Sequence, residues 1–146
     1  MKRLTLVLIS LLFWALPVSA ADVDRSAATS SINALRSDRN LPELQYSKKL
    51  EKAARRHAED MARNGFFSHT GSDGSGVGDR VRRSGYGWCT AAENIASGQP
   101  TLVDVMQSWT TSQGHRKNML HKAVSEFALA RGSGNIWVMV LARPGC

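Results

Sequence analysis

The clearest pattern along the chain is a helical spacing of apolar residues that follows Ser47. Small and apolar side chains recur there at steps of three and four, with lysine, arginine, glutamate and aspartate between them. These positions are Leu50, Ala53, Ala54, His57, Ala58, Met61 and Ala62. The pattern predicts an amphipathic helix that begins after Ser47, a suitable N-cap, and ends at Gly65.

Two less periodic segments flank this helix. The stretch "RSAATSSINALRSDRN" predicts an earlier helix, and Pro42 in the following "LPEL" indicates a connector, because the residue before a proline disfavours helix. Glycine and serine dominate residues 65–78, which we therefore expect to form a loop with a short helical turn over residues 79–84.

A second firm helix is predicted after Pro100. Thr101 followed by Asp104 resembles a capping box, and apolar residues at helical spacing continue to about Ser112. Gly114 is expected to interrupt this helix, and "HRKNML" predicts one further turn.

The last segment changes its period. Two runs typical of strands, "FALAR" and "IWVMVLA", are separated by "GSGN", whose glycines can supply the positive φ that a hairpin needs. Helices followed by an antiparallel hairpin predict an α+β fold rather than a parallel doubly wound one.

The first twenty residues have the pattern of a secretory signal peptide. Two positive charges precede an apolar run of about thirteen residues and a small-residue site, so cleavage is expected after Ala20 or Ala21. The run is shorter than the roughly twenty residues that span a bilayer. We therefore expect one domain over residues 21–146, secreted or periplasmic and not transmembrane after cleavage.

The exported domain is basic. The whole chain has a formal charge of +7, and loss of Lys2 and Arg3 with the signal peptide leaves +5. The positive residues are interspersed with acids, which is typical of a solvated exterior, although they could favour anionic envelope polymers. Without a recognised binding motif, nucleic acid is not an expected partner.

The two cysteines, Cys89 and Cys146, both remain in the exported domain. In an oxidising compartment such a pair predicts one disulfide, and two free thiols are the alternative. A bridge across about 57 residues would contribute about 4 kcal/mol in the chain-entropy model.

The four histidines differ in their surroundings. His57 lies on the apolar stripe of the first predicted helix, where a packed and hydrogen-bonded histidine is expected, and His121 ends a helical turn where a cation is favoured. Neither is predicted to belong to a site. His69 follows two phenylalanines in the glycine-rich loop, and His115 comes directly after a glycine, so both are better candidates.

Three segments, "HAEDMARNGFFSH", "ENIASG" and "SWTTSQGHRKNML", together resemble a bacterial member of the CAP superfamily, also called SCP-like, allergen-5-like or PR-1-like proteins. They occur in the family's order, and the resemblance covers roughly residues 30–143. It implies a three-layer α-β-α sandwich with an antiparallel sheet and a central cleft.

The resemblance also implies which residues line that cleft. The family's two histidines match His69 and His115, and one of its two acids matches Glu93. The position of the second acid, three residues after the tryptophan, is Ser112 in this chain. Asn94 and Arg116 are expected to support the cleft from behind.

Two imidazoles and a carboxylate are a set of ligands that Zn²⁺ accepts, with a fourth position left for water. His69, Glu93 and His115 are far apart in sequence, however, and lack the paired histidines of a zinc-protease helix. A hydrogen-bonded polar cavity without metal is the alternative to a zinc or other divalent-cation site.

Two functions fit these residues. The first is a binding protein for an envelope polymer, a lipid or sterol, or another protein. The second is a hydrolase or peptidase that uses either Ser112, His115 and Glu93 as a triad or a metal-activated water. The chain contains no G-x-S-x-G elbow, which favours binding over hydrolysis.

Overall fold

The structure is a computed structural model that describes residues 22–146, so the predicted signal peptide lies outside the described residues. Five α-helices and four strands form in this part of the chain. The helices are α1 (Arg25–Ser37), α2 (Lys48–Asn64), α3 (Val77–Arg83), α4 (Leu102–Thr111) and α5 (Gln113–Met119). The strands are β1 (Gln45–Tyr46), β2 (Trp88–Ser97), β3 (Glu126–Gly132) and β4 (Ile136–Pro144).

The strands form one sheet in the order β1-β3-β4-β2. The predicted hairpin is confirmed as β3 and β4, and β2 pairs antiparallel with the other side of β4. The two residues of β1 add a short parallel pair with β3. Strand β2 is therefore an edge of the sheet, and its second side is free to carry a site.

Alternation along the strands places the helices in two layers. On β3, Phe127 and Leu129 belong to the core cluster that includes residues of α1, α4 and α5. Ala128 and Ala130 belong to the cluster that includes residues of α2 and α3. Since successive side chains of a strand point to opposite faces, the sheet lies between the two helical layers. The predicted α+β, three-layer sandwich is confirmed.

Helix α2 lies close to the sheet because small residues meet at the contact. Ala53, Ala54 and Ala58 are buried against the small side chains of β3. At Gly132 a Cβ atom would stand only 2.8 Å from the backbone oxygen of Ala58, so the strand needs a glycine at this point.

Several local predictions are confirmed, and two boundaries are wrong. Helix α3 begins at Val77, inside the expected loop, and the second error follows α4. Gly65 ends α2 with φ of 66°, and Thr101 with Asp104 forms the capping box of α4. The break after α4 lies at Ser112, which has an extended backbone, and not at Gly114, which is part of α5. Ser112 occupies the N-cap position of α5. The helix therefore begins at Gln113, two residues before the turn predicted to follow Gly114.

The predicted disulfide is confirmed between Cys89 and Cys146. It joins Cys89, at the start of β2, to Cys146, which lies two residues beyond the end of β4. Within residues 22–146, none of the helices is long and apolar enough to cross a membrane.

Candidate functional site

The edge strand β2 presents two neighbouring polar side chains to opposite layers. Glu93 is on the same face of the strand as Ile95, which packs in the layer of α2 and α3. Asn94 is on the same face as Ala96, which packs in the other layer. Both Glu93 and Asn94 are buried. The candidate cleft therefore forms around the edge of the sheet, where groups from both layers can meet.

Three basic side chains surround the carboxylate of Glu93. Arg80 donates to Oε2 over 2.8 Å, His69 Nδ1 lies 2.9 Å from Oε1, and His57 Nε2 lies 3.8 Å from Oε1. The side chain of Glu93 is only 2% exposed. Because a buried carboxylate is costly unless its oxygens are paired, these contacts explain how Glu93 can be charged inside the protein.

Arg80 also fixes the glycine-rich loop. Its guanidinium donates to the carbonyl oxygens of Ser75 over 2.6 Å and His69 over 3.0 Å, in addition to Glu93. A planar fork with several donors suits this role, which a lysine would not reproduce. Arg80 thus places the backbone of His69 and the carboxylate that His69 contacts.

The orientation of His69 follows from this contact. A carboxylate only accepts hydrogen bonds, so Nδ1 of His69 carries the proton and donates to Glu93. In the neutral ring the second nitrogen, Nε2, is then an acceptor. The side chain is 60% exposed, so an oriented imidazole is available to molecules from solution.

His115 stands on the opposite side of the cleft, at the start of α5. Its Nδ1 lies 2.9 Å from Oγ of Ser112, and its backbone oxygen accepts from Asn94 over 3.1 Å. Burial, and secondarily the charge of His69, lowers the pKa of His115. The lowered pKa leaves the ring of His115 neutral near pH 7.

Asn118 joins the two layers of the site. Its side-chain nitrogen donates to the backbone oxygen of Glu93 over 3.2 Å and to Oδ1 of Asn94 over 2.9 Å. The first of these bonds pairs a carbonyl group of the edge strand. Arg116 instead donates to the carbonyl oxygen of Thr110, so it fastens α5 to the end of α4.

The expected residues fall into two connected groups. His69 and Glu93 form one group, and Ser112 and His115 form the other. Asn94 and Asn118 lie between them. Glu93 makes its contacts with His69 and Arg80, and no hydrogen bond between Glu93 and His115 is found among the described residues.

Glu93 is not free to act as the carboxylate ligand of a three-ligand zinc site. Arg80 and the N–H of His69 already engage both oxygens of Glu93, and Nδ1 of His115 is engaged with Ser112. In the described part of the chain, no three or more His, Cys, Asp or Glu side chains are grouped so that they could hold a metal ion. These side chains are joined to their neighbours by hydrogen bonds.

Sequence reasoning missed Arg80, His57 and Asn118. Arg80 lies in "DRVRR", which has the composition of a solvated helix end, and only a buried carboxylate elsewhere could have marked one of its arginines. His57 is packed and donates to the carbonyl of Ser68 over 2.9 Å, as its place on the apolar stripe suggested. Its proximity to Glu93 depends on the tertiary fold.

Comparison with known proteins identifies the family. A model of the cysteine-rich secretory protein family, CAP, matches residues 29–140. Since the match covers most of the chain, this protein belongs to the CAP family. The three sequence segments that carried the resemblance all lie within the matched residues.

Two curated relatives come from Bacillus subtilis. The uncharacterized protein YkwD is 36% identical over 106 residues, which are 72% of this chain and 41% of YkwD. The uncharacterized membrane protein YlbC is 30% identical over 89 residues, which are 61% of this chain and 26% of YlbC. The chain thus spans less than half the length of these relatives.

Solved structures show the same fold. An extracellular protein with an SCP domain from Bacillus anthracis superposes with a TM-score of 0.77 at 30% identity, over 81% of this chain and 39% of that one. An outer surface protein from Borrelia burgdorferi gives a TM-score of 0.73 at 22% identity, over 86% of this chain and 99% of that one. The second likeness concerns the fold alone.

Proposed function

We propose that this chain is an exported binding domain whose cleft, formed by His69, Glu93, Ser112 and His115, holds a polar ligand. The observation that carries the proposal is the hydrogen bond of 2.9 Å from His69 to Glu93, on a histidine whose side chain is 60% exposed. A buried acid fixes the ring, and the ring presents its other nitrogen to solvent. Such an oriented polar group is typical of a binding site.

The chemistry of the cleft favours a ligand with hydroxyl or amide donors. Nε2 of His69 accepts a hydrogen bond in the neutral ring, and the neutral His115 has no charge with which to hold an anion. Among envelope polymers, lipids and proteins, we therefore favour a fragment of a cell-wall polymer.

Export is supported by three independent features. The leader pattern of residues 1–20, the disulfide between Cys89 and Cys146, and the extracellular Bacillus anthracis relative all agree with an oxidising destination. Mass spectrometry of protein recovered from cell fractions tests it. An exported chain beginning at residue 21 or 22 supports the proposal, and intact Met1 on cytoplasmic protein contradicts it.

Binding is tested by calorimetric titration of the folded protein with soluble peptidoglycan fragments. We expect His69→Ala to weaken binding by about tenfold, the scale of one lost hydrogen bond with a well-placed partner. His121→Ala is the matched control, because His121 lies outside the cleft and should leave the affinity unchanged. Equal effects of the two substitutions, or no heat from any fragment, would contradict the cleft.

A second class of ligand has its own readout. Lipids extracted from purified protein can be identified by mass spectrometry. A sterol or fatty acid recovered in molar amounts, and retained by His69→Ala, would replace the polymer with a lipid. A clean extract supports the polar ligand.

One distance favours hydrolysis as a second candidate function. Oγ of Ser112 lies 2.9 Å from Nδ1 of His115, which is within the range of a nucleophile and its base. Ser112 is also the N-cap of α5, which explains the same distance by helix geometry. Any peptide or ester turnover found with the purified protein should vanish in Ser112→Ala, and full turnover in that variant would exclude the serine.

A further inference from the structure

A second cavity lies between α2, the glycine-rich loop and α3. Its volume is about 200 Å³. It shares His57 and Arg80 with the surroundings of Glu93, but His69, Glu93 and His115 do not line it. The lining residues are Arg56, His57, Asp60, Ser72, Asp73, Ser75, Arg80 and Arg83.

Buried polar residues form part of this wall. His57 is 1% exposed, Ser75 is 5% exposed and Arg80 is 9% exposed. Side chains with this chemistry are costly to bury unless each polar atom has a partner. The inner wall of the cavity is therefore buried, while its mouth is formed by exposed residues, Arg56, Ser72, Asp73 and Arg83.

One polar atom of the wall lacks a partner. Nε2 of His57 faces the carbonyl oxygen of Ser68, so Nε2 carries the proton and Nδ1 is an acceptor. Burial lowers the pKa of His57, which keeps the ring neutral. Among the described residues Nδ1 has no hydrogen-bond donor, and most buried acceptors have one.

The two acids of the wall already accept hydrogen bonds from neighbouring residues. Asp60 accepts from the backbone and hydroxyl of Ser72 and from Asn64. Asp73 accepts from the backbone of Ser75 and pairs with Arg83. A carboxylate has about four acceptor sites, so each acid retains capacity for a further donor.

Two arginines of the wall, Arg56 and Arg83, have fewer partners than Arg80. Arg56 is exposed on α2, and it forms no ion pair with an acid in residues 22–146. The side chain of Arg83 is 56% exposed, and one of its nitrogens pairs with Asp73. Glu93 balances the charge of Arg80 and Asp73 balances that of Arg83, so Arg56 is the one guanidinium of the wall without an ion pair in the described residues.

We propose that this cavity binds an acidic sugar. The carboxylate of the sugar pairs with Arg56 and Arg83, and its hydroxyls donate to Asp60, Asp73 and Nδ1 of His57. Hydroxyl groups satisfy acceptors and donors alike, which a bare anion does not, and guanidinium groups are the preferred partners of a carboxylate. The site is separate from the cleft and does not depend on its ligand.

The size of the cavity agrees with one sugar ring. About 200 Å³ holds six or seven water molecules at roughly 30 Å³ each, and it is smaller than the roughly 300–1,000 Å³ of pockets for drug-sized ligands. Helix α2 carries other exposed positive residues besides Arg56, such as Lys52. Their charge would attract an anionic chain that carries the sugar.

Titration of the folded protein with glucuronate, glucose and acetate tests the site. We expect glucuronate to bind at least tenfold more tightly than either of the others, because only glucuronate offers both hydroxyls and a carboxylate. If acetate bound as tightly as glucuronate, the site would hold an adventitious ion only. If glucose bound as tightly as glucuronate, Arg56 and Arg83 would have no role in binding the carboxylate. Either result overturns the proposal, as does no binding.

Arg56→Ala and Lys52→Ala are a matched pair for this titration. Both remove one positive charge from an exposed position of α2, but only Arg56 lines the cavity. We expect Arg56→Ala to weaken glucuronate binding about tenfold, as for a charge-assisted hydrogen bond, and Lys52→Ala to change it less than about twofold. Similar effects of the two would place the sugar elsewhere.

The nitrogen resonances of His57 give a readout that needs no substitution. Nδ1 should shift when glucuronate saturates the protein, since an acceptor without a partner gains a donor. An unchanged Nδ1 resonance at saturation would overturn the proposed contact.

Discussion

A carboxylate on an edge strand is expensive to bury unless each oxygen has a partner. Glu93 meets this condition with Arg80 on one oxygen and His69 on the other. The acid therefore has two tasks at once: it balances a buried guanidinium, and it orients an exposed imidazole. At the scale of the residue, the stability of the protein and its proposed binding function depend on the same pair of oxygens.

Glu93→Gln should destabilise the protein by about 3 kcal/mol, because it leaves the guanidinium of Arg80 buried without a counter-charge. Chemical denaturation followed by circular dichroism measures the loss. Glu59→Gln is the control, since Glu59 is exposed on the same side of the sheet, in α2, and should cost less than about 0.5 kcal/mol. Equal losses in the two variants would mean that the buried pair contributes nothing.

The stability of the protein should fall as the pH decreases below about 6.5, the ordinary pKa of histidine. Burial lowers the pKa of both His57 and His115 in the folded protein. The unfolded chain therefore takes up more protons in this range, which favours unfolding, and the penalty is absent above the ordinary pKa.

Denaturation midpoints at about pH 7.5, 6.5 and 5.5 measure this dependence, above the range in which ordinary carboxylates titrate. His57→Gln should show a shallower decline than the unmodified protein, because it removes one of the two groups. An unchanged slope in His57→Gln would show that His57 takes up no proton on unfolding.

At the scale of the element, the contact between α2 and β3 leaves no room for a side chain. Gly132→Ala would place its Cβ atom 2.8 Å from the backbone oxygen of Ala58, so helix and strand must separate. We expect a loss of about 1–3 kcal/mol, the usual cost of overpacking.

Gly114→Ala is the matched control for this substitution. No atom stands within 4 Å of the Cβ position at Gly114, which lies inside α5. Alanine there should be neutral or stabilising by up to about 1 kcal/mol. A thermal melt of both variants distinguishes them, and a Gly132→Ala protein as stable as Gly114→Ala would contradict the close packing.

The elements that sequence predicted best are those whose periodicity is imposed by one buried face. Helix α2 shows this plainly, and so does the β3 and β4 hairpin. Strand β2 was not predicted, because "CTAAENIASG" lacks the alternation of apolar and polar residues that indicates a strand. It has small residues on both faces, and its charged residue, Glu93, faces a helical layer. Its identity as a strand comes from pairing with β4, a contact between residues about fifty positions apart.

The candidate site shows the same limit. The family resemblance indicated His69, Glu93 and His115, but it gave no reason to connect Glu93 to Arg80. That connection requires α3 to lie against β2, which is a property of the folded layers. Local sequence around Arg80 is compatible with a solvated helix end, and only tertiary packing distinguishes it from Arg82.

At the scale of the whole molecule, the disulfide closes a loop across 57 residues. It ties β2 to the segment that follows β4, and the candidate site lies on β2, which pairs with β4. Its removal in Cys89→Ser with Cys146→Ser should cost about 4 kcal/mol by the loss of chain constraint in the unfolded state. Denaturation with and without reductant measures it. The double variant should not respond to reductant, and an oxidised protein no more stable than the double variant would contradict the estimate.

Strand β4 lies between β3 and β2, although it is the last strand of the domain to be synthesised. A polypeptide still threading out of a ribosome or through a translocation channel lacks the partner to which both of those strands must bond. The sheet therefore cannot be completed until Ile136–Pro144 is available to pair with both strands.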